Sequence, residues 1–557
     1  MLKKTLLVVL LLALGTQVGM YFAGAPEAPE VAESIQEVAS TEGDVEVGEG
    51  VVIDVEDSTT ILLLPLDSRP ANTYSPEMVA KASGLDLVMP DSEMLDYYRK
   101  PGDIEKYPAW LLESEADYYI VSISQLCYGG LVASRTGDVP LEIAKANLES
   151  LRTLKEKIGD KPIYAFDTIQ RLAITTSDAR SSQYYSATHE WAILKDEVEN
   201  LGQTDKQAKL DQLESFIPED IRNDYLAARA RNHVINSLAI DLVQEGVIDY
   251  LILAQDDASL TGLHRAEREV LKAKVDELGL EDKVMIFPGA DEVGVILVSR
   301  AVTHHYGLEP TFKVFYSGIE GSRWVAPFED VNFAANIARH LEAVGARIAE
   351  NGLIDLFVVT PGGNDSFSAG KVKDLMEQGR RVVICDVVVT NSAHPGFFEA
   401  MTDQVEVAKL TGFAGWNTAG NTLGLAIGQA VSSLARDKLE GEELENATKA
   451  HFEYLLHRLA KDYFYKVQVQ GEIERFTRSN GIDTINIPEN LFGFVQEELG
   501  FLLRPRLNDF YRKHFAGRSV GDYRLGDAVD WDIKLAWPRF FEIQIIPEIS
   551  LAIVREE

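Results

Sequence analysis

Short apolar runs recur along the chain from residue 60 to residue 424, and stretches with helical patterning separate most of them. The runs are apolar throughout instead of alternating with polar residues, which is typical of strands that are buried on both faces. We count nine or ten such runs. They cover residues 61–66, 87–90, 118–124, 163–166, 250–254, 284–287, 312–316, 356–360, 382–389 and 411–423.

This alternation of strands and helices predicts an α/β fold in which helices cover a parallel sheet. Nearly every run is followed by Gly, Asp, Asn or Arg, so polar groups gather at the carboxyl ends of the strands. That layout predicts a (β/α)8-like parallel barrel with helical insertions, whose site lies at those ends. Because the runs outnumber eight, two doubly wound, Rossmann-like halves are the alternative.

The patterning also divides the chain into regions. Residues 58–424 form the predicted α/β catalytic-type domain, and residues 425–557 form a mainly helical C-terminal region with a closing strand packed on the body. Residues 26–57 carry 11 acidic residues and no Lys or Arg, which predicts a disordered acidic linker. Residues 1–25 have Lys3 and Lys4 before an apolar core, as in a signal peptide or a membrane anchor. Either reading predicts an extracytoplasmic location.

Composition and motifs remove several classes of function. The net charge of −35 argues against nucleic acid as a partner. The chain lacks the glycine spacing of nucleotide-binding loops, the G-x-S-x-G elbow of serine hydrolases, and the H-E-x-x-H and C-x-x-C metal motifs. Its two cysteines cannot form a thiolate metal site. We therefore predict no cofactor and no metal, and the sequence indicates no protein partner.

The strongest candidate for chemistry is the pair Asp256 and Asp257, which follows the apolar run 250–254. Two carboxyl groups at the end of a strand can serve as acid and base in catalysis. Neighbouring residues on a regular strand face opposite ways, so both can reach one site only if the chain leaves the strand here. The alternative is that one Asp caps the next helix and the other is solvated.

Other strand ends supply aromatic rings, amides and charged groups of the kind that bind sugars. Aromatic faces stack on pyranose rings, and Asn, Asp and Arg side chains bond to hydroxyl groups. A carboxyl pair supplies acid and base near an oxocarbenium-like transition state. The predicted substrate-binding residues are Asp67, Arg69, Tyr128, Asp386, Asn391, Trp416, Asn417 and Asn421. Core packing of Trp416 and a local Asp67–Arg69 ion pair are the structural alternatives.

Three segments carry a resemblance to a known family. PLDSRP at 65–70, YGGLVASR at 128–135 and GWNTAGNTLG at 415–424 resemble the signatures of a large bacterial family of exported or envelope proteins of unknown function. The resemblance covers most of residues 60–545. It implies membership and no particular activity.

A second, weaker resemblance concerns the acid pair. Asp256-Asp257 at a strand end is similar to the Asp-Asp pair of the β-N-acetylglucosaminidase family that uses substrate assistance. This likeness implies that Asp256 orients and polarises the 2-acetamido group of the substrate and that Asp257 is the general acid/base. The tyrosine and lysine partners of that family are not identifiable in this sequence.

Together these features favour an extracytoplasmic carbohydrate-active enzyme, a glycoside hydrolase that acts on a carbohydrate or cell-wall glycan. Two alternatives stay open. One is a metal-dependent hydrolase with ligands drawn from Asp67, Asp256, Asp257, His264, Asp386 and His394. The other is a non-catalytic envelope protein that binds glycan through the same cleft.

Overall fold

All ten apolar runs contain a strand in the computed structural model of the chain, which describes residues 58–176 and 179–554. Each of these strands pairs in parallel with its neighbours. Four further strands lie outside these runs in the described residues. In chain order the strands are β1 Thr60–Leu64, β2 Asp86–Val88, β3 Tyr118–Ser122, β4 Ile163–Ile169, β5 Tyr250–Gln255, β6 Val284–Pro288, β7 Thr311–Tyr316, β8 Arg347–Ile348, β9 Ile354–Val359, β10 Arg381–Asp386, β11 Gly412–Ala414, β12 Ser519–Val520, β13 Tyr523–Trp537 and β14 Arg539–Ile553.

Helices connect and cover these strands. They are α1 Tyr74–Lys81, α2 Tyr107–Glu113, α3 Ile123–Tyr128, α4 Leu131–Ser134, α5 Leu141–Ile158, α6 Ala179–Glu199, α7 Gln207–Phe216, α8 Glu219–Gln244, α9 Leu263–Leu278, α10 Val293–His305, α11 Phe333–Ala343, α12 Asp365–Glu377, α13 Pro395–Gln404, α14 Ala419–Ala435, α15 Gly441–Leu459, α16 Gln470–Ser479 and α17 Glu489–His514. A π-helical segment, Ala460–Val469, joins α15 to α16.

The parallel strands form two sheets with the same connectivity. The first sheet has six strands in the order β2-β1-β3-β4-β5-β6, and the second has five in the order β8-β7-β9-β10-β11. Numbered within its own sheet, each begins 2-1-3-4-5, which is the order of flavodoxin-like doubly wound folds. The fold therefore consists of two such halves in succession.

The prediction of an α/β fold with parallel strands is confirmed, but the described strands do not close into a barrel. Strand β6 pairs with β5, and strand β7 pairs with β8 and β9, so no described strand of one sheet pairs with a strand of the other. Helix α10 carries the chain from β6 into the second half and packs against α14. Two doubly wound halves, the predicted alternative, describe this arrangement.

The main hydrophobic core lies between the two sheets. Ile61 and Leu63 of β1 point into it, as do Leu356 and Val358 of β9. Leu62 and Leu64 of β1 point to the other face of the first sheet, toward α5 and α8. Because both faces of each sheet are covered, continuous apolar strands are stable here.

The C-terminal region contains helices and a long antiparallel hairpin. Helix α14 continues without a break through the predicted boundary between residues 424 and 425, so the two predicted regions share this helix. The hairpin is built from β13 and β14, each 15 residues long, where the sequence had predicted one closing strand. Its turn residue Pro538 lies between Trp537 and Arg539, and these two residues reach the carboxyl ends of the first sheet.

The predicted signal peptide or anchor at 1–25 and the acidic linker at 26–57 lie outside the described residues. Within 58–176 and 179–554, no helix has the length and hydrophobicity that a bilayer crossing requires.

Candidate functional site

A cavity of about 340 Å³ opens where the carboxyl ends of the first sheet face the loop after β11. The loops after β1, β4, β5 and β6 contribute to its wall, and the β13–β14 hairpin covers one side. Its charged lining residues are Arg69, Arg135, Arg171, Asp256, Asp257, Asp291 and Arg539. The site thus combines residues that are distant in sequence, as expected at the carboxyl edge of a doubly wound sheet.

The predicted acid pair lies in this cavity. Strand β5 ends at Gln255, so the chain has left the strand when it reaches Asp256 and Asp257. Both side chains can therefore line the same cavity. Asp257 has φ of 44°, a left-handed conformation that is uncommon for a residue with a Cβ and that is enriched at functional sites.

Each acid faces its own arginine. Nη2 of Arg135 donates to Oδ2 of Asp256 at 2.5 Å, and Nη1 of Arg171 donates to Oδ2 of Asp257 at 3.3 Å. Burial raises the pKa of Asp257, and the neighbouring Asp256 carboxylate raises it further, while Arg171 opposes both effects. Asp257 is the more exposed of the two, with 26% of its side chain accessible against 8% for Asp256. It is therefore the better placed to meet a ligand.

A second charged group surrounds Arg69 after β1. Its guanidinium donates to Oδ2 of Asp67 at 2.6 Å and to Oδ1 of Asp291 at 2.5 Å. Asn72 also donates to both carboxylates. Asp67 is fully buried beneath the cavity, whereas Arg69 and Asp291 line it. The predicted Asp67–Arg69 ion pair therefore exists and holds the first loop.

The loop after β11 completes this side of the cavity. Nδ2 of Asn417 donates to Oδ2 of Asp291 at 2.9 Å, and the backbone N–H of Asp291 donates to Oδ1 of Asn421 at the same distance. Asn417 has φ of 66°, so a second lining residue adopts the left-handed conformation. These bonds join the segment after the last strand of the second sheet to the loop after the last strand of the first.

Aromatic rings form the wall beside the arginines. Trp537 and Phe541 from the hairpin and Tyr185 from α6 line the cavity. The guanidinium carbon of Arg539 lies 4.9 Å from the ring centroid of Trp537 and 5.4 Å from that of Phe541. The wall therefore places aromatic rings directly beside charged groups.

Behind the wall, buried charges fix the hairpin to the body. Nζ of Lys461 in the π-helical segment donates to Oε1 of Glu542 at 2.5 Å, and the backbone N–H of Ala71 donates to the same oxygen at 3.0 Å. Oε2 of Glu542 lies 3.8 Å from Arg69. The β13–β14 hairpin is therefore bonded directly to the loop after β1.

Five of the predicted substrate-binding residues do not line this cavity: Asp67, which is buried beneath it, and four residues in neighbouring parts of the fold. Tyr128 lines an adjoining cavity of about 360 Å³ that shares Val132, Arg135 and Thr175 with the first. Trp416 is fully buried, with Nζ of Lys461 4.3 Å from its ring centroid, so it packs in the core under the loop.

Asp386 and Asn391 support the loop after β10. Oδ2 of Asp386 accepts the backbone N–H of His394 at 2.6 Å, and burial raises the pKa of Asp386 to about 7. The backbone N–H of Asn391 donates to the carbonyl of Asn417 at 2.9 Å. Both residues shape the neighbouring loop and do not line the cavity.

Several lining residues were not among the site residues predicted from the sequence. Arg135 ends the YGGLVASR segment, and Arg171 and Asp291 follow apolar runs. All three could have been predicted from the tendency of site residues to lie just after the strands. Trp537, Arg539 and Phe541 gave no such signal, because their approach depends on how the C-terminal hairpin folds back.

The ligands suggested for a metal-dependent hydrolase do not come together. His264 accepts the backbone N–H of Ser259 at 3.1 Å, and His394 lies beside Asp365 in the second half. In the described part of the chain, no group of three or more His, Cys, Asp and Glu side chains is arranged to hold a metal ion.

Comparison with known families assigns the chain to one of them. The family described as "Protein of unknown function (DUF4127)" matches residues 61–546, so most of the chain is covered and the protein belongs to this family. Neither the curated proteins nor the solved structures give a match. Membership in an uncharacterised family agrees with the resemblance in the sequence, while the likeness to β-N-acetylglucosaminidases has no support from these comparisons.

Proposed function

We propose that the protein is an extracytoplasmic glycoside hydrolase and that Asp257 is its general acid/base. The position of Asp257 carries this proposal. Its carboxyl group lines the cavity, its backbone is left-handed, and burial together with Asp256 raises its pKa. A general acid must hold a proton near the working pH, so a raised carboxyl pKa suits this role.

Asp256 takes a different role in the proposal. Its ion pair with Arg135 holds it in place beside Asp257. A carboxylate held in this way can accept a hydrogen bond from a substrate N–H or O–H group and orient it. A 2-acetamido sugar would present such an N–H group.

The remaining lining residues suit a sugar ring. Phe541 and Tyr185 offer partly exposed aromatic rings, and Asn417 offers an amide beside Asp291. A cavity of about 340 Å³ has the size of a small-molecule site. The cluster of Lys3 and Lys4 before an apolar stretch supports placing this activity outside the cytoplasm.

The test is hydrolysis of a panel of aryl glycosides, including N-acetylhexosaminides, by the wild type and Asp257→Asn. Asp282→Asn is the matched control, because Asp282 is exposed in the loop that precedes β6. We expect turnover by the wild type and the control and a loss of about 100-fold or more in Asp257→Asn. Equal turnover by all three proteins would remove Asp257 from this role.

One observation favours a second function, glycan binding without turnover. Both acids are paired with arginines, as in a site that is built to hold charge instead of transferring protons. Calorimetric binding of a cell-wall oligosaccharide, with no product after long incubation and no hydrolysis of the panel, would support this alternative.

A further inference from the structure

Four arginines line the cavity, and three of them are bonded to carboxylates. Arg69 binds Asp67 and Asp291, Arg135 binds Asp256, and Arg171 binds Asp257. Arg539 is different. Within the described residues, no carboxylate oxygen lies in ion-pair distance of its guanidinium, so its charge is not neutralised by direct contact.

Aromatic rings hold Arg539 in place. Its guanidinium carbon lies 4.9 Å, 5.1 Å and 5.4 Å from the ring centroids of Trp537, Tyr98 and Phe541. Such contacts favour a cation that has lost part of its hydration. Burial and the nearby Arg69 lower the pKa of Arg539 to about 10, which still leaves it charged at neutral pH.

A fixed, partly desolvated guanidinium at the wall of a cavity is well suited to bind an anion. Arg recognises carboxylate and phosphate groups through paired N–H donors. The whole chain carries a net charge of −35 and repels anions at long range, so recognition must be local.

We propose that the ligand of this cavity carries an anionic oxygen group, a carboxylate or a phosphate, that binds Arg539. The inference rests on the proposed function and narrows its substrate to acidic sugars. The aromatic wall would then meet the ring of the sugar, and Arg539 would meet its charged substituent.

The experiment is isothermal calorimetry on the full chain with matched pairs of sugars. Methyl β-glucuronide and methyl β-glucoside differ at the carboxylate, and N-acetylmuramic acid is compared with N-acetylglucosamine. Glucose 6-phosphate and inorganic phosphate distinguish a phosphate site from a carboxylate site. We expect at least one acidic sugar to bind about tenfold more tightly than its neutral counterpart.

Variants identify the residue. Arg539→Gln removes the charge and should abolish the preference for the acidic sugar. Arg539→Lys keeps the charge and should retain part of this preference. Arg347→Gln is the control, since Arg347 is exposed in β8 of the second sheet. Thermal melting of each variant establishes that it is folded.

The outcomes separate this inference from the proposed function. Binding of acidic sugars through Arg539, with no hydrolysis of any aryl glycoside in the panel, would support the inference and contradict the hydrolase. Hydrolysis of neutral glycosides through Asp257, with no preference for acidic sugars, would support the hydrolase and contradict the inference. Absence of binding by every acidic probe, or an unchanged preference in Arg539→Gln, would overturn the inference.

Discussion

Arg69 is bonded to Asp291, a residue 222 positions further along the chain. The contact joins the loop after β1 to the loop after β6, which lie on opposite sides of β3, β4 and β5 in the first sheet. Arg69 also binds Asp67, and Asn417 of the second half binds Asp291. This small group of charges therefore fixes the geometry of the cavity at the junction of the two halves.

Removing the Arg69 charge should destabilise the fold. In Arg69→Met, the buried carboxylates of Asp67, Asp291 and Glu542 lose a shared cation and repel each other. Breaking a buried ion pair from one side typically costs about 3–5 kcal/mol. We expect a loss of this size in the free energy of unfolding, measured by urea denaturation. Arg347→Met should change it little, and equal stabilities of the two variants would contradict this account.

Arg171 should control the pH dependence of catalysis. Its positive charge favours the ionised form of Asp257, so Arg171→Gln should raise the pKa of this carboxyl group. The alkaline limb of kcat/KM, which reports loss of the proton from the acid, should then move to higher pH. Arg135→Gln should cause a smaller shift, because Arg135 affects Asp257 less. A limb that moves to lower pH in Arg171→Gln would contradict the assignment.

Glu329 should make stability depend on pH. Its side chain is buried and accepts a hydrogen bond from Nδ2 of Asn336 at 3.0 Å. Burial raises the pKa of Glu329 to about 8 from an ordinary value of 4.5. Between these values the folded state holds a proton that the unfolded state releases. The contribution of Glu329 is therefore complete below about pH 4.5 and is lost as the pH rises through 8, with a slope of up to about 1.4 kcal/mol per pH unit.

Glu329→Gln provides the measurement, because glutamine is neutral at every pH. The melting temperature of the wild type, relative to that of the variant, should fall as the pH rises from 5 to 9. Comparing the two proteins cancels the titration of other groups, including the buried His264, whose pKa is lowered to about 3. A difference that is constant across this range would show that Glu329 is already ionised in the folded state.

Much of the fold is predictable from the sequence, because strands covered on both faces need continuous apolar runs. Each such run contains a parallel strand, and helices separate most of the runs, as the patterning predicts. The two-residue strand β8 was missed, since Arg347 and Ile348 are exposed and form no run. The choice between one barrel and two sheets depends on which edges pair, and local patterning does not contain that information.

The site was predictable to the extent that strand ends define it. Asp256, Asp257, Arg69, Asn417 and Asn421 follow strands and meet in one cavity. Asp386 is the last residue of strand β10, yet its carboxylate accepts backbone N–H groups of the loop that follows. The hairpin residues were missed because only the tertiary packing of the C-terminal hairpin brings them to the first sheet. No pattern in the sequence near residue 256 indicates that packing.

The most direct test of the account measures how the loss of kcat/KM in Asp257→Asn depends on the leaving group of the substrate. A general acid protonates the departing oxygen, so its loss matters most when the leaving group is a poor one. With the aryl glycoside that the wild type cleaves best, kcat/KM is compared between dinitrophenyl and methylumbelliferyl forms. The account predicts that Asp257→Asn loses about 100-fold or more on the methylumbelliferyl substrate and about tenfold or less on the dinitrophenyl one. Equal losses on both substrates, or no loss on either, would contradict it.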